Sequence, residues 1–194
     1  MNEPIPNVFV IPHFYTPDEC REELEYATDS GFIEQQYGVS TKREARRRAV
    51  KDDKKRARQI WNKVPSLPPL ESFYKNLRPD PNENLSEWKP IGLNERLRYY
   101  QYEPGQRFSE HFDIMFRIND TTRTFLTFIV YLNDDFEGGE TRFGDQMIQP
   151  VMGSIILFPH ELRHEGMMVR KGCKTVLRSD VVYEQHSYLL PEVP

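Results

Sequence analysis

The second half of the chain alternates between short runs of β-forming residues and turns marked by glycine or proline. The run at residues 123–132 is apolar or β-branched on both faces, which is typical of a strand buried between two layers. Similar runs lie at residues 96–103, 141–143, 147–150, 154–158, 165–169 and 173–183. About eight short strands with few helices after residue 64 predict a mainly β fold with a jelly-roll core, the double-stranded β-helix.

The first half of the chain predicts two helices that flank this core. Thr16 is a suitable N-cap for a helix that continues to about Ser30. Asp52 or Asp53 can cap a second helix that continues to about Val64. Mainly β with flanking N-terminal helices is therefore the expected fold class.

We expect residues 1–194 to form a single domain, because this length suffices for one substantial core. Residues 1–94 would supply helical support and loops, after a short opening strand at residues 8–12. Residues 95–184 would form the jelly-roll core.

Two segments of the first half carry unusual composition. Residues 42–58 contain ten Lys or Arg against three acids, which indicates either a solvated face or a basic lip that attracts an acidic substrate or a phosphate backbone. Residues 65–94 contain six prolines, together with Phe73, Tyr74 and Trp88. This composition favours a partly ordered loop beside an active-site mouth, and a passive connector is the alternative.

The composition of the whole chain excludes several other classes. The net charge of −4 gives no overall drive toward nucleic acid or membrane. No apolar run approaches the roughly 20 residues that a membrane span needs, and residues 1–8 lack the features of a signal peptide. The only cysteines, Cys20 and Cys173, indicate no disulfide framework, so we expect a cytoplasmic protein.

His111 and Asp113 form the sharpest chemical feature of the sequence. On an extended segment their side chains point to the same face, so both can reach one metal ion. Two histidines and one carboxylate form the ligand set of a non-haem Fe(II) site with open positions. The second histidine must come from a distant segment, and both His160 and His164 are available. His13 and His186 lie near the termini, and we expect no catalytic role for them.

Lys174 begins another predicted strand, on which every second residue shares its face. Val176, Arg178 and Asp180 lie on that face. A cation there can pair with an acidic cosubstrate held by the metal.

The order and spacing of several runs resemble the catalytic domain of the prolyl 4-hydroxylases, a family of 2-oxoglutarate- and Fe(II)-dependent dioxygenases. The resemblance extends over residues 95–184, about half of the chain. The runs that carry it are residues 97–113, 130–133, 138–143, 150–153 and 164–174.

The resemblance implies that His111, Asp113 and His164 are catalytic residues that ligate Fe(II). His164 is preferred over His160 because it begins the His-Glu-Gly sequence typical of the family. Cosubstrates would be 2-oxoglutarate and O2, with ascorbate as a reductant. Oxidative decarboxylation would yield succinate and CO2 and hydroxylate an unactivated C–H bond. Lys174 occupies the position at which the family has the lysine that binds 2-oxoglutarate, and Arg178 is the competing candidate for that role.

Three further residues are candidate cosubstrate contacts. Tyr102 and Tyr131 can supply hydroxyl groups to the cosubstrate, although either can equally be a core aromatic residue with a satisfied hydroxyl. Thr141, after the Gly138-Gly139 turn, is a weaker candidate.

The substrate implied by the resemblance is a peptide or a small molecule such as an amino acid, and the basic segment suggests an acidic one. We expect no membrane partner, no nucleic acid, and a monomer or homodimer. Two alternatives stay open: an oxidative nucleic-acid dealkylase, and a non-catalytic jelly-roll binding module. Against the first, Lys174-Thr-Val-Leu-Arg178 does not follow the Asn-x-Thr-x-x-Arg pattern of the dealkylases. Against the second, all three candidate ligands and the lysine are present.

Overall fold

The computed structural model describes residues 1–35, 46–77 and 83–186. Strands dominate the described residues, and the predicted fold class is confirmed. The strands of the first half are β1 (Asn2–Ile5), β2 (Val8–Ile11), β3 (Ile33–Gln35), β4 (Arg46–Asp52) and β5 (Trp88–Leu93). The strands up to the long central one are β6 (Arg96–Tyr102), β7 (Phe108–His111), β8 (Arg117–Asn119) and β9 (Thr122–Tyr131).

The remaining strands are mostly short. They are β10 (Glu137–Gly138), β11 (Thr141–Phe143), β12 (Gln146–Ile148), β13 (Ile155–Pro159), β14 (His164–Gly166), β15 (Val169–Lys171) and β16 (Lys174–Gln185). The predicted run at residues 165–169 is thus divided between β14 and β15.

Both predicted helices are present. The first, α1 (Pro17–Asp29), begins with a capping box in which Thr16 and Glu19 bond to each other's backbone N–H groups. The second, α2 (Lys54–Trp61), is capped by Asp53 and ends three residues before the predicted Val64. Short 3-10 helices occur at Leu70–Phe73 and Leu85–Glu87. None of the helices in the described residues is long and apolar enough to cross a membrane.

Two facing sheets form the jelly roll. The large sheet has the order β1-β2-β13-β9-β16-β6-β4-β3, with β5 also paired to β16 and β8 to β9. The smaller sheet has the order β12-β11-β14-β7, and β10 pairs with β15 separately. Strands from residues 1–52 therefore extend the large sheet on both sides.

The large sheet is buried on both faces because its side chains alternate between two cores. On β9, Phe128 and Val130 pack toward the helices, whereas Tyr131 packs toward the smaller sheet. On β6, Tyr99 and Tyr100 divide in the same way. This two-sided burial is what the continuous apolar pattern of residues 123–132 predicted.

Most described cations of the basic segment are at least partly exposed, as a solvated face requires, but Arg46 is an exception. Arg46 is only 2% exposed, and its guanidinium lies 3.8 Å from the centre of the Phe108 ring and 4.7 Å from that of Tyr100. Aromatic faces attract a guanidinium, so this strand can bury a cation. Both cysteines are free, as expected.

Candidate active site

The pairing of β7 with β14 brings the two candidate histidines side by side. His111 ends β7, His164 begins β14, and the two are direct partners in the antiparallel register. Asp113 follows two residues after His111, where its backbone N–H donates to the His160 carbonyl at 2.8 Å. The ligand atoms of His111, Asp113 and His164 all lie within 4.8 Å of one another.

Backbone carbonyls orient both imidazole rings. Nδ1 of His111 lies 2.8 Å from the Ser109 carbonyl oxygen, and Nδ1 of His164 lies 3.0 Å from that of Leu162. A carbonyl can only accept, so each Nδ1 carries the proton and each Nε2 keeps a lone pair. The two Nε2 atoms lie 3.9 and 3.7 Å from the Asp113 carboxylate oxygens, which suits ligation of a single ion.

The protonation of the three groups also suits a metal. Burial lowers the pKa of His164 to about 4 and lowers that of His111, so both rings are neutral at pH 7. Burial alone would raise the pKa of Asp113, but the Arg178 guanidinium and His164 hold it well below its usual range. Two neutral imidazoles and one carboxylate form a donor set that fits Fe(II).

Arg178 is held by two protein carboxylates. Its Nη2 lies 3.0 Å from Oδ1 of Asp113 and 3.1 Å from Oδ1 of Asp180. Asp180 also receives a hydrogen bond from Arg98 at 3.0 Å. Arg178 therefore supports the candidate ligand Asp113 from one side.

A chain of hydrogen bonds supports Asp113 from the other side. Thr127 Oγ1 donates to the Asp113 carboxylate at 2.5 Å and lies 2.9 Å from Nδ1 of His160. Because the Thr127 proton is used on Asp113, His160 Nδ1 must donate to Thr127, and its Nε2 accepts from Thr124 Oγ1 at 3.0 Å. Burial lowers the pKa of His160 to about 4, which agrees with this neutral form.

Lys174 is a buried cation at the other end of the same cavity. Its Nζ donates to the Gly139 carbonyl at 2.6 Å, and no described carboxylate forms an ion pair with it. Burial lowers its pKa to about 8, an effect that the charge of Glu140 only partly offsets. The turn at Gly139 has φ of +67°, and a Cβ there would lie 3.0 Å from the Lys174 side chain.

The tyrosines differ in their access to the cavity. Tyr102 lines it, and the Lys174 Nζ lies 5.8 Å from the centre of its ring. Tyr131 is fully buried, and its hydroxyl lies 2.7 Å from Oγ1 of Thr141, which does line the cavity. Tyr131 is thus one residue removed from the space that a cosubstrate would occupy.

The cavity has a volume of about 410 Å³ and contains all three candidate ligands, Lys174 and Arg178 in its wall. Arg46 and Arg48 from β4 also line it, whereas Arg47 points to the opposite face and donates to Gln101 at 3.0 Å. The predicted basic lip is therefore present in part.

The prediction for residues 65–94 is wrong where the structure describes them. Phe73, Tyr74 and Trp88 are buried in the core between the large sheet and the helices, so they do not flank the mouth. Residues 42–45 of the basic segment and residues 78–82 of the proline-rich segment lie outside the described residues.

Sequence reasoning missed Thr124, Thr127 and the apolar residues after Asp113. Thr124 and Thr127 lie three residues apart on β9, across the irregular start of the strand, so a strict period of two does not place them on one face. Threonine is also common in strands for packing reasons alone. Only the apolar run Phe112, Ile114, Met115 and Phe116 gave a signal, because it follows the candidate ligands directly.

Comparison with known proteins agrees with this site. Residues 97–179 match the family model of the 2OG-Fe(II) oxygenase superfamily. A protein of Acanthamoeba polyphaga mimivirus, described as "Putative prolyl 4-hydroxylase", is 23% identical over 197 residues, which covers 91% of this chain and 74% of that protein.

Three solved structures share the fold. The viral collagen prolyl hydroxylase of Paramecium Bursaria Chlorella virus-1, in its 2OG complex, superposes with a TM-score of 0.60 at 19% identity and covers 92% of this chain and 96% of its own. The prolyl-4-hydroxylase of Pseudomonas putida gives 0.57 at 15% identity, with 93% of each chain covered. A Trichoplax adhaerens prolyl hydroxylase in complex with a hypoxia inducible factor peptide gives 0.58 at 18% identity, covering 91% and 83%.

Proposed function

We propose that the chain is a member of the 2OG-Fe(II) oxygenase superfamily, whose family model matches residues 97–179, and that it hydroxylates a prolyl residue of a peptide. The observation that carries the proposal is the pairing of β7 with β14. That pairing gathers His111, Asp113 and His164 in a cavity that also holds a buried lysine.

We assign the metal to Nε2 of His111, Nε2 of His164 and the Asp113 carboxylate. Fe(II) held there with 2-oxoglutarate and O2 would supply the oxidation: one oxygen atom would enter the C–H bond, and the other would convert 2-oxoglutarate to succinate and CO2. The protein keeps both imidazoles neutral and correctly turned through the Ser109 and Leu162 carbonyls. Thr127 and Arg178 fix the carboxylate from opposite sides.

We assign the far carboxylate of 2-oxoglutarate to Lys174. A buried cation without a carboxylate partner is costly, and an anionic ligand removes that cost. Arg178, the competing anchor, is occupied by Asp113 and Asp180, both largely buried carboxylates. Tyr102, next to Lys174 in the cavity wall, supplies a second contact to the cosubstrate.

A peptide is the substrate that the mouth of the cavity suits best. Its lining combines the exposed apolar side chains of Phe112, Ile114, Met115 and Phe116 with Arg48, whose charge favours an acidic peptide. The relatives described above support the same class of substrate, because they are named as prolyl hydroxylases and one of them was solved with a peptide. Proline is therefore the first residue to test.

The experiment is a succinate-release assay with proline-containing peptides, followed by mass spectrometry for the gain of one oxygen atom. Wild-type protein with Fe(II) and 2-oxoglutarate should convert at least one peptide, and His164→Ala should convert none. His160→Ala should still release succinate, because the His160 side chain reaches Asp113 through Thr127, and the backbone carbonyl that accepts from the Asp113 N–H is kept in the variant. Oxygen gained by a free amino acid or an oligonucleotide but by no peptide would reject the proposed substrate class.

A further inference from the structure

The segment after Asp113 exposes an unusual number of large apolar side chains. Ten large apolar residues are exposed in the described part of the chain, and five of them fall within residues 112–118. Those five are Phe112, Ile114, Met115, Phe116 and Ile118. Exposed apolar residues scattered singly need no explanation, whereas a concentration beside a cavity marks a binding surface.

Hydrogen bonds at both ends fix this segment. At the start, the Asp113 N–H donates to the His160 carbonyl at 2.8 Å. At the other end, Phe116 and Thr124 are joined twice, through the Phe116 N–H to Thr124 Oγ1 and the Thr124 N–H to the Phe116 carbonyl, both at 3.0 Å. The apolar side chains are thus held outward on an ordered backbone, so a ligand would not have to order the segment on binding.

A second cavity lies on the far side of Phe116. Its volume is about 440 Å³, and Phe116 lines both this cavity and the one that contains the candidate ligands. Its apolar lining comes from helix α2, strand β5 and strand β8. The residues concerned are Ala57, Trp61, Ile91, Leu93 and Ile118. One ligand that crosses Phe116 can therefore occupy both cavities.

The rim of the second cavity is positively charged. Lys54 and Arg58 of α2 line it with Glu95 as the only acid, and neither cation forms an ion pair with a carboxylate of the described residues. An apolar floor with a cationic rim suits an apolar side chain that has an acidic neighbour.

We propose that the second cavity is a specificity subsite that binds an apolar side chain of the peptide substrate, next to an acidic residue that faces Lys54 and Arg58. The target residue would then lie in the first cavity, on the other side of Phe116. The inference rests on the proposed function, because it requires a peptide substrate. A second copy of the chain is the less suitable occupant, since docking across Phe116 would cover the cavity that holds the candidate ligands.

A peptide library tests this subsite directly. The library has a central proline with randomised flanks of six residues on each side, and hydroxylated products are sequenced by mass spectrometry. The wild type should favour a large apolar residue at one fixed distance from the target proline, with Asp or Glu enriched beside it. An extended chain rises about 3.3 Å per residue, so the preferred position should be a few residues away.

Ile91→Ser and Ile118→Ser should weaken the preference. Each residue lines the second cavity and not the first, and each is about half exposed, at 46% and 48%. We expect the KM for a peptide with the selected apolar residue to rise roughly tenfold, as expected for loss of part of an apolar contact. Peptides truncated before that residue should show no difference between variant and wild type. Met147→Ser, at 49% exposure and outside both cavities, is the matched control and should behave as wild type.

Three outcomes would overturn the inference. Hydroxylation without any apolar preference, or an equal KM change in all three variants, would remove the subsite. A concentration-dependent dimer that Ile118→Ser abolishes would assign the surface to a second copy. If the wild type hydroxylates no peptide of any sequence, the proposed function itself fails, and the subsite fails with it.

Discussion

Arg178 lies with its Nη2 3.0 Å from Oδ1 of Asp113, so the guanidinium is held by a candidate metal ligand. Lys174, the other candidate anchor for 2-oxoglutarate, donates to the Gly139 carbonyl and forms no ion pair with a carboxylate of the described residues. Arg178 and Lys174 therefore differ in whether a protein carboxylate already balances their charge. The Nη2 of Arg178 already lies beside two protein carboxylates, whereas no carboxylate of the described residues pairs with Lys174.

The first prediction concerns the affinity for 2-oxoglutarate. Lys174→Met should raise the Kd for 2-oxoglutarate by about ten- to a hundredfold, because a hydrogen bond to a charged group contributes roughly 1.5–3 kcal/mol. Calorimetric titration of Mn(II)-loaded protein without oxygen measures this value. Arg178→Gln should affect metal binding instead. A normal Kd in Lys174→Met with a weakened one in Arg178→Gln would transfer the anchor to Arg178.

The second prediction concerns pH. The pKa of Lys174 is about 8 in the free protein, so its ammonium is intact below that pH and is lost as the pH rises. Above pH 8, Lys174 must take up a proton before it can pair with the anion. The Kd for 2-oxoglutarate should therefore increase by up to about tenfold per pH unit in that range. It should be nearly flat between pH 6.5 and 7.5. Lys174→Met should remove the rise, and an identical rise in that variant would show that another group titrates.

The third prediction concerns the hydrogen bonds behind Asp113. Thr127→Val keeps the shape of the side chain but removes the donor to the carboxylate, so affinity for Fe(II) or Co(II) should fall about tenfold. Thr127→Ser keeps the hydroxyl and should retain most of the affinity. Metal titration followed by Co(II) absorption separates this effect from a change in fold, which circular dichroism would detect. Equal affinities in the Val and Ser variants would show that the bond is dispensable.

The fourth prediction uses two adjacent arginines of β4 that face opposite ways. Arg48 lines the candidate active-site cavity, whereas Arg47 bonds to Gln101 on the other face. Arg48→Gln should therefore raise the KM for an acidic peptide at low salt, with a smaller effect at high salt, where exposed charges are screened. Arg47→Gln is the matched control and should change the KM little. Equal effects would indicate a general surface field.

Part of the fold could be predicted from local patterns. Residues 123–132 are apolar or β-branched on both faces, and β9 is indeed buried on both. Thr16 and Asp53 cap the two helices because their side chains satisfy the backbone N–H groups of the first turn. In each case the information lies within a few residues, so a sequence can reveal it.

Long-range packing hid the rest. Strand β4 was missed because Arg46 is charged, and its burial depends on the rings of Phe108 and Tyr100, more than fifty residues away. Trp88 was assigned to a loop because of the prolines around it, whereas it packs on Phe125 with ring centres 5.0 Å apart. Neither contact leaves a periodic signal in the sequence.

The candidate site also combines residues that the sequence identified with contacts that only the folded structure shows. His111, Asp113, His164 and Lys174 were identified from motif order and spacing, and the structure brings the first three within 4.8 Å. Thr127 and the pairing of Arg178 with Asp113 were not foreseen, because they depend on the register between distant strands. Only the folded sheet defines that register.

The most direct test of the assigned site is a crystal structure of the protein with Mn(II) and 2-oxoglutarate, in which anomalous scattering locates the metal. The assigned site predicts one ion ligated by Nε2 of His111, Nε2 of His164 and the Asp113 carboxylate, with the far carboxylate of 2-oxoglutarate on Lys174. An ion ligated by His160, or a cosubstrate carboxylate bound by Arg178 with Lys174 still on the Gly139 carbonyl, would contradict it.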